Sequence, residues 1–309
     1  MSKLAVLFCG QGAQRVGMGR DLYLSSENAR ALFDAGEKAL PGLLDTLFSG
    51  DDATLTRTEH AQPALFLTGL AFAEELRARG ILADAAAGFS LGEIPALAYT
   101  GILSVEDAFS LVLARSRKMA ELSTRYPGAM AAVLKLDAAT VEDVCRRHPG
   151  VTPVNYNCPG QIACAGEVGA VNALCEDVKA IGGRAVKLAV AGAFHTPFMA
   201  EAEPVLRDAL AGMTVHAPML PLYADLTGEP YPDDAEGIRE RVAKQVDSPV
   251  RFEAILKNMS AAGIDTFVEV GAGGTLTGFA KRTLPEARLF TVTDVPSLES
   301  TVNALKGEE

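Results

Sequence analysis

The sequence predicts an α/β protein, a parallel sheet with helices on both faces, interrupted by a small antiparallel unit. Three observations predict it. Apolar, strand-like runs that end at turns recur at 3–10 (KLAVLFCG), 83–90 (ADAAAGFS), 266–271 (TFVEVG) and 288–294 (RLFTVTD). Helical stretches lie between them, such as 61–80 (AQPALFLTGLAFAEELRARG), which closes on a glycine as helices commonly do. That alternation builds parallel strands joined by helical crossovers. The middle of the chain instead reads β-α-β-β-α-β, the order of a ferredoxin-like unit.

Taken in order, the first run, MSKLAVLFCGQG, has one lysine, a short apolar stretch and a glycine-rich turn. It is therefore expected to be a buried first strand rather than a signal peptide. In the middle segment GAMAAVLKL (128–136) is strand-like, and DAATVEDVCRRHP (137–149) is a helix opened by an Asp cap. VTPVNYN and GQIACAG are two short strands around the turn Pro159-Gly160, EVGAVNALCEDVKAIGG is a second helix, and RAVKLAV (184–190) is a closing strand. These elements predict an insertion at 126–191 within a core formed by 1–125 and 192–309. The segment TGEPYPDDAEG (227–237) is expected to be a surface loop.

With 309 residues, 49% hydrophobic and 22% charged, the composition is that of a soluble globular protein. No apolar run reaches the roughly 18 residues that span a bilayer. The net charge of −11 argues against general nucleic-acid binding. Five scattered cysteines, Cys9, Cys145, Cys158, Cys164 and Cys175, show no metal-ligand spacing. They are expected to be reduced, mostly buried thiols of a cytoplasmic protein.

Ligands of such sheets gather at the carboxyl ends of the strands, so the turns there carry the chemistry. CGQGAQRVGMG has Arg15 where a dinucleotide loop needs its third glycine, and GAGGTLTG (271–278) has Leu276 at the equivalent place. Neither continues into a phosphate-binding Gly-Lys-Ser/Thr. Gly88-Phe89-Ser90-Leu91-Gly92 fits the G-x-S-x-G nucleophile elbow. Small residues on both sides let the chain turn sharply, and the Leu91 N–H would then face a developing oxyanion. A helix N-cap serine is the competing reading. Of four histidines, His148 stands in a charged helix end and is expected to be solvated, while His60 and His216 stand in polar loop contexts. His195 follows an apolar strand and a glycine, which places it at the same rim as Ser90 and makes it the candidate base. No aspartate stands out as its partner, so a dyad oriented by another group, such as a main-chain carbonyl, is expected.

The motifs GQGAQ (10–14), AQPALF (61–66), GFSLGE (88–93), GAMAAVL (128–134), NYNCPGQIACAG (155–166), GAFHTPFM (192–199), QVDSPVRF (245–252) and VEVGAGGTLTG (268–278) together resemble the malonyl-CoA:acyl carrier protein transacylases. The resemblance covers nearly the whole chain. It implies an α/β-hydrolase-like core with a ferredoxin-like insertion, in agreement with the element order. It further implies ping-pong transfer of malonyl from malonyl-CoA to acyl carrier protein through a malonyl ester on Ser90. His195 would be the base, and the Gln11 and Leu91 N–H groups the oxyanion hole. Arg115 would hold the malonyl carboxylate, although the sequence alone favours a surface arginine of a basic helix. The Gln245 main-chain carbonyl would orient His195, and Gln62 and Asn157 would line the pocket. No metal or other cofactor, no nucleic acid, no membrane and a monomeric state are implied.

An acidic carrier would need a basic patch, for which Arg117, Lys118, Arg184, Lys187, Arg251, Lys281 and Arg282 are candidates that the sequence does not rank. Three positions depart from the family, with Phe89 in place of histidine, Ser116 in place of glycine and Ala120 in place of glutamine. Phe89 removes any polar contact the histidine makes beside the nucleophile, which puts acyl preference and hydrolytic leakage in question. A thioester hydrolase and a non-catalytic carrier-binding subunit are the alternatives. Retention of Arg115 disfavours the first, and intact Ser90 and His195 disfavour the second.

Overall fold

The computed structural model describes residues 2–190 and 192–307. Among them nine strands form two sheets: β1 (Lys3–Phe8), β2 (Ala85–Gly88), β3 (Ala129–Leu134), β4 (Val151–Cys158), β5 (Gln161–Gly166), β6 (Arg184–Lys187), β7 (Leu222–Tyr223), β8 (Ile264–Val270) and β9 (Arg288–Val292). The larger sheet runs β7-β2-β1-β8-β9 with every pairing parallel. The smaller runs β4-β5-β3-β6 and is antiparallel throughout, with the helices Ala138–Arg147 and Val168–Ala180 packed on it. That strand order is the one a β-α-β-β-α-β unit adopts.

β1 lies at the centre of the large sheet and is apolar and buried from Leu4 to Phe8 because both of its faces are covered there. Its side chains alternate accordingly. Leu4, Val6 and Phe8 join one apolar cluster, while Ala5 and Leu7 join another with Phe252 and Phe267 on the opposite face. The helix Thr58–Ala78 is buried along most of its length, which explains why its sequence shows so little polar striping. The small sheet has its own core, in which Cys145, Cys164 and Cys175 pack with Val133, Val141 and Leu174. All five cysteines are buried and free. No helix of the described residues is long and apolar enough to cross a membrane.

Three expectations need correction. The segment 227–237 is not loop throughout, because Asp234 caps the helix Ala235–Lys244 and Tyr231 is buried. His148 is half-buried and its Nε2 lies 2.9 Å from Asp177 Oδ2, because the packing of its helix against the neighbouring one leaves less solvent than a charged helix end suggests. His60 lies in the first turn of the helix Thr58–Ala78 rather than in a loop. In addition, β6 is shorter than the 184–190 run, and β7 is too brief to leave a periodic signal.

Parallel register brings the critical turns to one rim, since Phe8 pairs with both Gly88 and Val270. The turn after β2 is so tight that its glycines have no room for a side chain. A Cβ on Gly88 would lie 1.9 Å from the Gly92 carbonyl carbon, and one on Gly92 would lie 2.1 Å from the Phe8 oxygen. Both obstacles are backbone, which cannot swing away. Gly92→Ala is therefore expected to destabilise the fold by at least about 1–3 kcal/mol, read as a lowered denaturation midpoint. A change within roughly 0.5 kcal/mol, the range of a neutral surface substitution, would contradict this packing.

Candidate active site

Ser90 follows β2 and opens a single 3₁₀ turn, Ser90–Gly92, that runs directly into the helix Glu93–Tyr99. Its φ of 53° is left-handed, a conformation non-glycine residues rarely hold without outside support. That support is visible, because the Ser90 N–H donates to Asp225 Oδ2 at 2.7 Å and the Ser90 carbonyl accepts from Gln245 Nε2 at 2.6 Å. The Gly92 N–H is used by the Phe89 carbonyl. Leu91 thus stands between two occupied donors, at the start of a turn where its own N–H has no intrahelical acceptor.

His195 is also left-handed, with φ 61°, and is buried. Its Nε2 lies 2.7 Å from Ser90 Oγ, and its Nδ1 lies 3.1 Å from the Gln245 carbonyl and 3.0 Å from the Ser248 carbonyl. Carbonyls only accept, so Nδ1 must carry the proton and Nε2 must present its lone pair to the Ser90 hydroxyl. Two main-chain oxygens here do the orienting that an aspartate does in a triad. Burial, reinforced by the Arg115 charge, lowers the His195 pKa to about 4.

Arg115 is fully buried on the helix Val105–Arg125. Nη1 donates to Gln62 Oε1 at 2.9 Å, and Nη2 donates to Gln245 Oε1 and to Ser90 Oγ, each at 3.1 Å. Burial lowers its pKa to about 10, so it remains a cation at neutral pH. Gln62 in turn donates to Gln11 Oε1 at 3.1 Å. The structure therefore gathers Ser90, His195, Arg115, Gln245, Gln62 and Gln11 into one connected set.

A cleft of about 250 Å³ opens over Ser90 and His195, walled by Gln11 and Phe89 on one side and by Met130, Asn157 and Gln161 of the small sheet on the other. Asn157 lines this cleft, and its Oδ1 is buried without a hydrogen-bond partner among the described residues. Asn155 does the same and escaped the sequence reading. Arg115 and Gln62 lie beneath the cleft rather than on its wall. Cys9 also lines it, but burial pushes that thiol up to about 12, so it does not compete as a thiolate. Phe89 stacks edge-on against Phe252 at 5.4 Å and lies 6.0 Å from Phe279. Of the basic candidates, Arg282 reaches the rim, donating to Gln161 Oε1 at 2.6 Å, while Lys118 is paired with Glu121.

Sequence reasoning missed Asp225, Glu93, Tyr231 and Ser248. Glu93 accepts the Asp225 N–H at 2.8 Å and the Tyr231 hydroxyl, which places a second buried carboxyl beneath the elbow. Ser248 carried a faint signal in its place within QVDSPVRF, three residues after Gln245.

Comparison with known proteins defines the class first: the acyl transferase domain family matches residues 6–306, and the chain is an acyl transferase domain by that match. Over 314 aligned residues it is 37% identical to the malonyl CoA-acyl carrier protein transacylase of Bacillus subtilis, covering 100% of this chain and 99% of that one. The crystal structure of the malonyl CoA-acyl carrier protein transacylase of Clostridium perfringens superposes with a TM-score of 0.93 at 34% identity, covering 99% of this chain and 98% of that one. A malonyl-transacylase solved in complex with its type II PKS acyl-carrier protein gives a TM-score of 0.94 at 30% identity, covering 98% and 100%. The chain belongs to the malonyl CoA-acyl carrier protein transacylase family.

The depressed histidine has a measurable consequence. An unfolded histidine titrates near 6.5, whereas folded His195 stays neutral down to about pH 4. Between those values the unfolded chain binds the extra proton, so stability falls as pH drops through that window. As the expected base, His195 would stay neutral over this range, so acylation of Ser90 should be level from about pH 8 down to pH 5.5, with its acid limb nearer 4 than 6.5. A pH–rate profile of acyl loading, with imidazole NMR titration of the folded protein, tests this. A limb at 6.5 would contradict it.

Proposed function

We propose that this chain transfers a malonyl group from malonyl-CoA to the phosphopantetheine thiol of an acyl carrier protein by a ping-pong reaction, with Ser90 as the acyl carrier. The observation that carries the reading is the double contact on Ser90 Oγ, with His195 Nε2 at 2.7 Å and the Arg115 guanidinium at 3.1 Å. A base alone would serve any acyl group. A buried cation within contact of the nucleophile suits an acyl group that carries a carboxylate at its far end.

In the first half-reaction Ser90 Oγ attacks the thioester carbonyl while His195 Nε2 accepts its proton. Negative charge develops on the carbonyl oxygen and meets the N–H groups of Leu91 and Gln11. As the intermediate collapses, His195 returns the proton to the departing CoA thiol, leaving the malonyl-serine ester. Arg115 holds the malonyl carboxylate, exchanging neutral amide and hydroxyl partners for an ionised one. In the second half-reaction the carrier thiol gives its proton to His195 and attacks the ester. The core, 1–125 and 192–309, supplies nucleophile, base and cation, and the insertion, 126–191, supplies the opposite wall of the cleft. Arg282, at the rim beside Gln161, is the basic group best placed to meet an acidic carrier.

Brief incubation with malonyl-CoA should give a mass increase of one malonyl group on Ser90, absent in Ser90→Ala and discharged by holo carrier protein. No adduct would sink the reading, and an adduct cleared by water as fast as by carrier would make the chain a hydrolase. Arg115→Ala should lower malonyl loading relative to acetyl loading by roughly 10- to 100-fold, the scale of a lost charge-assisted bidentate contact of about 1.5–3 kcal/mol. Equal loss of both would remove the carboxylate role and leave Arg115 as a support for Ser90.

A further inference from the structure

The polar contacts beneath the elbow leave one atom unaccounted for. Asp225 follows β7 and is fully buried, as is Glu93 in the first turn of the helix Glu93–Tyr99. Asp225 Oδ2 accepts the Ser90 N–H at 2.7 Å and Gln245 Nε2 at 3.0 Å. Glu93 Oε2 accepts the Asp225 N–H at 2.8 Å, and Glu93 Oε1 accepts the Tyr231 hydroxyl. Asp225 Oδ1 alone is buried with no donor among the described residues, and the Glu93 carboxyl is held against Asp225 by that 2.8 Å contact with its N–H.

We propose that Asp225 is a positioning residue held as a neutral carboxylic acid, with its proton on Oδ1 and donated to the Glu93 carboxylate, and that this one-proton pair fixes the Ser90 backbone and the Gln245 amide. Two facing carboxyls sealed from water cannot both ionise, so a proton must lie between them. The only oxygen lacking a donor is where that proton fits, because every other oxygen already receives an N–H or O–H. Oδ2 then acts as the carbonyl oxygen of an acid, with two lone pairs for its two N–H donors. Burial and the facing Glu93 charge both push the Asp225 carboxyl well above its ordinary range, in keeping with this assignment.

The pair also completes the charge balance. Its single negative charge faces the Arg115 guanidinium through Gln245, whose Oε1 accepts from Arg115 and whose Nε2 donates to Asp225. Asp225 touches no reacting atom. It acts through the left-handed Ser90 backbone, which sets where Oγ and the Leu91 N–H point, so the proposal rests on Ser90 being the acyl-bearing residue.

An amide is nearly isosteric with a protonated acid, its oxygen accepting in the place of Oδ2 and one of its two N–H groups donating in the place of the Oδ1 hydroxyl. Asp225→Asn should retain at least a third of the wild-type rate of Ser90 malonylation, whereas Asp225→Ala should lose 10-fold or more in kcat with a much smaller change in KM. Infrared difference spectra of wild type minus Asp225→Asn at pH 7 should show a protonated-carboxyl C=O band that shifts when the aspartate carboxyls are carbon-13 labelled. Three results would each overturn the proposal: an Asn variant as impaired as the Ala variant, an Ala variant equal to wild type, or no aspartate-derived band. The infrared measurement needs no turnover. A chain that fails to load malonate in the wild type would therefore defeat the proposed function while still deciding where the proton lies.

Discussion

The chain that leaves β2 must pass beneath the end of β1 with no space between the two backbones. Gly92 and Gly10 are the points of contact, where a methyl group would lie 2.1 Å from the Phe8 oxygen and 2.6 Å from the Phe89 oxygen, and Gly88 closes the turn against Gly92 itself. This closeness obliges the single residue at the apex, Ser90, to adopt a left-handed conformation. Such a residue costs on the order of 1–3 kcal/mol, which its surroundings must offset. The surroundings do so from four separate parts of the sequence: Asp225 takes the N–H, Gln245 takes the carbonyl, and His195 and Arg115 take the hydroxyl. The tight turn is thus the reason that distant segments converge here. Each of them satisfies a group that the turn exposes.

Burying a guanidinium is the second large cost in the same place. Arg115 has only neutral oxygens as direct partners, and its Nε has none among the described residues. An isolated buried ion is penalised by several kcal/mol even after relaxation, so its field must be balanced nearby. The same field explains the state of His195. A second cation beside Arg115 would be repelled, which adds to the effect of burial in keeping the imidazole neutral. A neutral base and a free cation are the two states that attack on a carboxylate-bearing thioester requires. One constraint, low dielectric around a single positive charge, prepares both.

Much of this was legible in the sequence, and the exceptions have physical reasons. The parallel sheet, the β-α-β-β-α-β unit, Ser90 and His195 each left a local signature, because turns and strands at a sheet rim constrain their own residue types. Arg115 is instructive, since its own neighbours RSRK suggest a solvated helix face. Its phase suggests otherwise. Ala108, Val112, Arg115, Met119 and Leu122 follow one another at intervals of three or four residues and are all buried, so the arginine stands in an apolar stripe. Asp225 left no comparable trace. Its strand has two residues, and its importance comes from a partner 135 positions away that reaches it only in the folded chain. Gln245 was legible by half, because resemblance pointed to its carbonyl, while its amide bonds to Arg115, Asp225 and the Ser90 carbonyl come from the tertiary arrangement.

The residue beside the nucleophile illustrates how the site separates its tasks. Phe89, extended just before the turn, packs its ring with Phe252 and Phe279. Its ring edge also abuts Gly10, where a Cβ would lie 2.8 Å from the ring. The ring therefore braces the glycine turn that carries Gln11, one proposed arm of the oxyanion hole. A polar residue there would have to leave its ring nitrogens among phenylalanines or turn them towards the cleft, which Phe89 also lines. Among the described residues the side-chain contacts of Ser90 come from elsewhere, namely Asp225, Gln245, Arg115 and His195. Phenylalanine is compatible with the site for that reason: the position shapes a wall and braces a turn, and the nucleophile draws none of its hydrogen bonds from it.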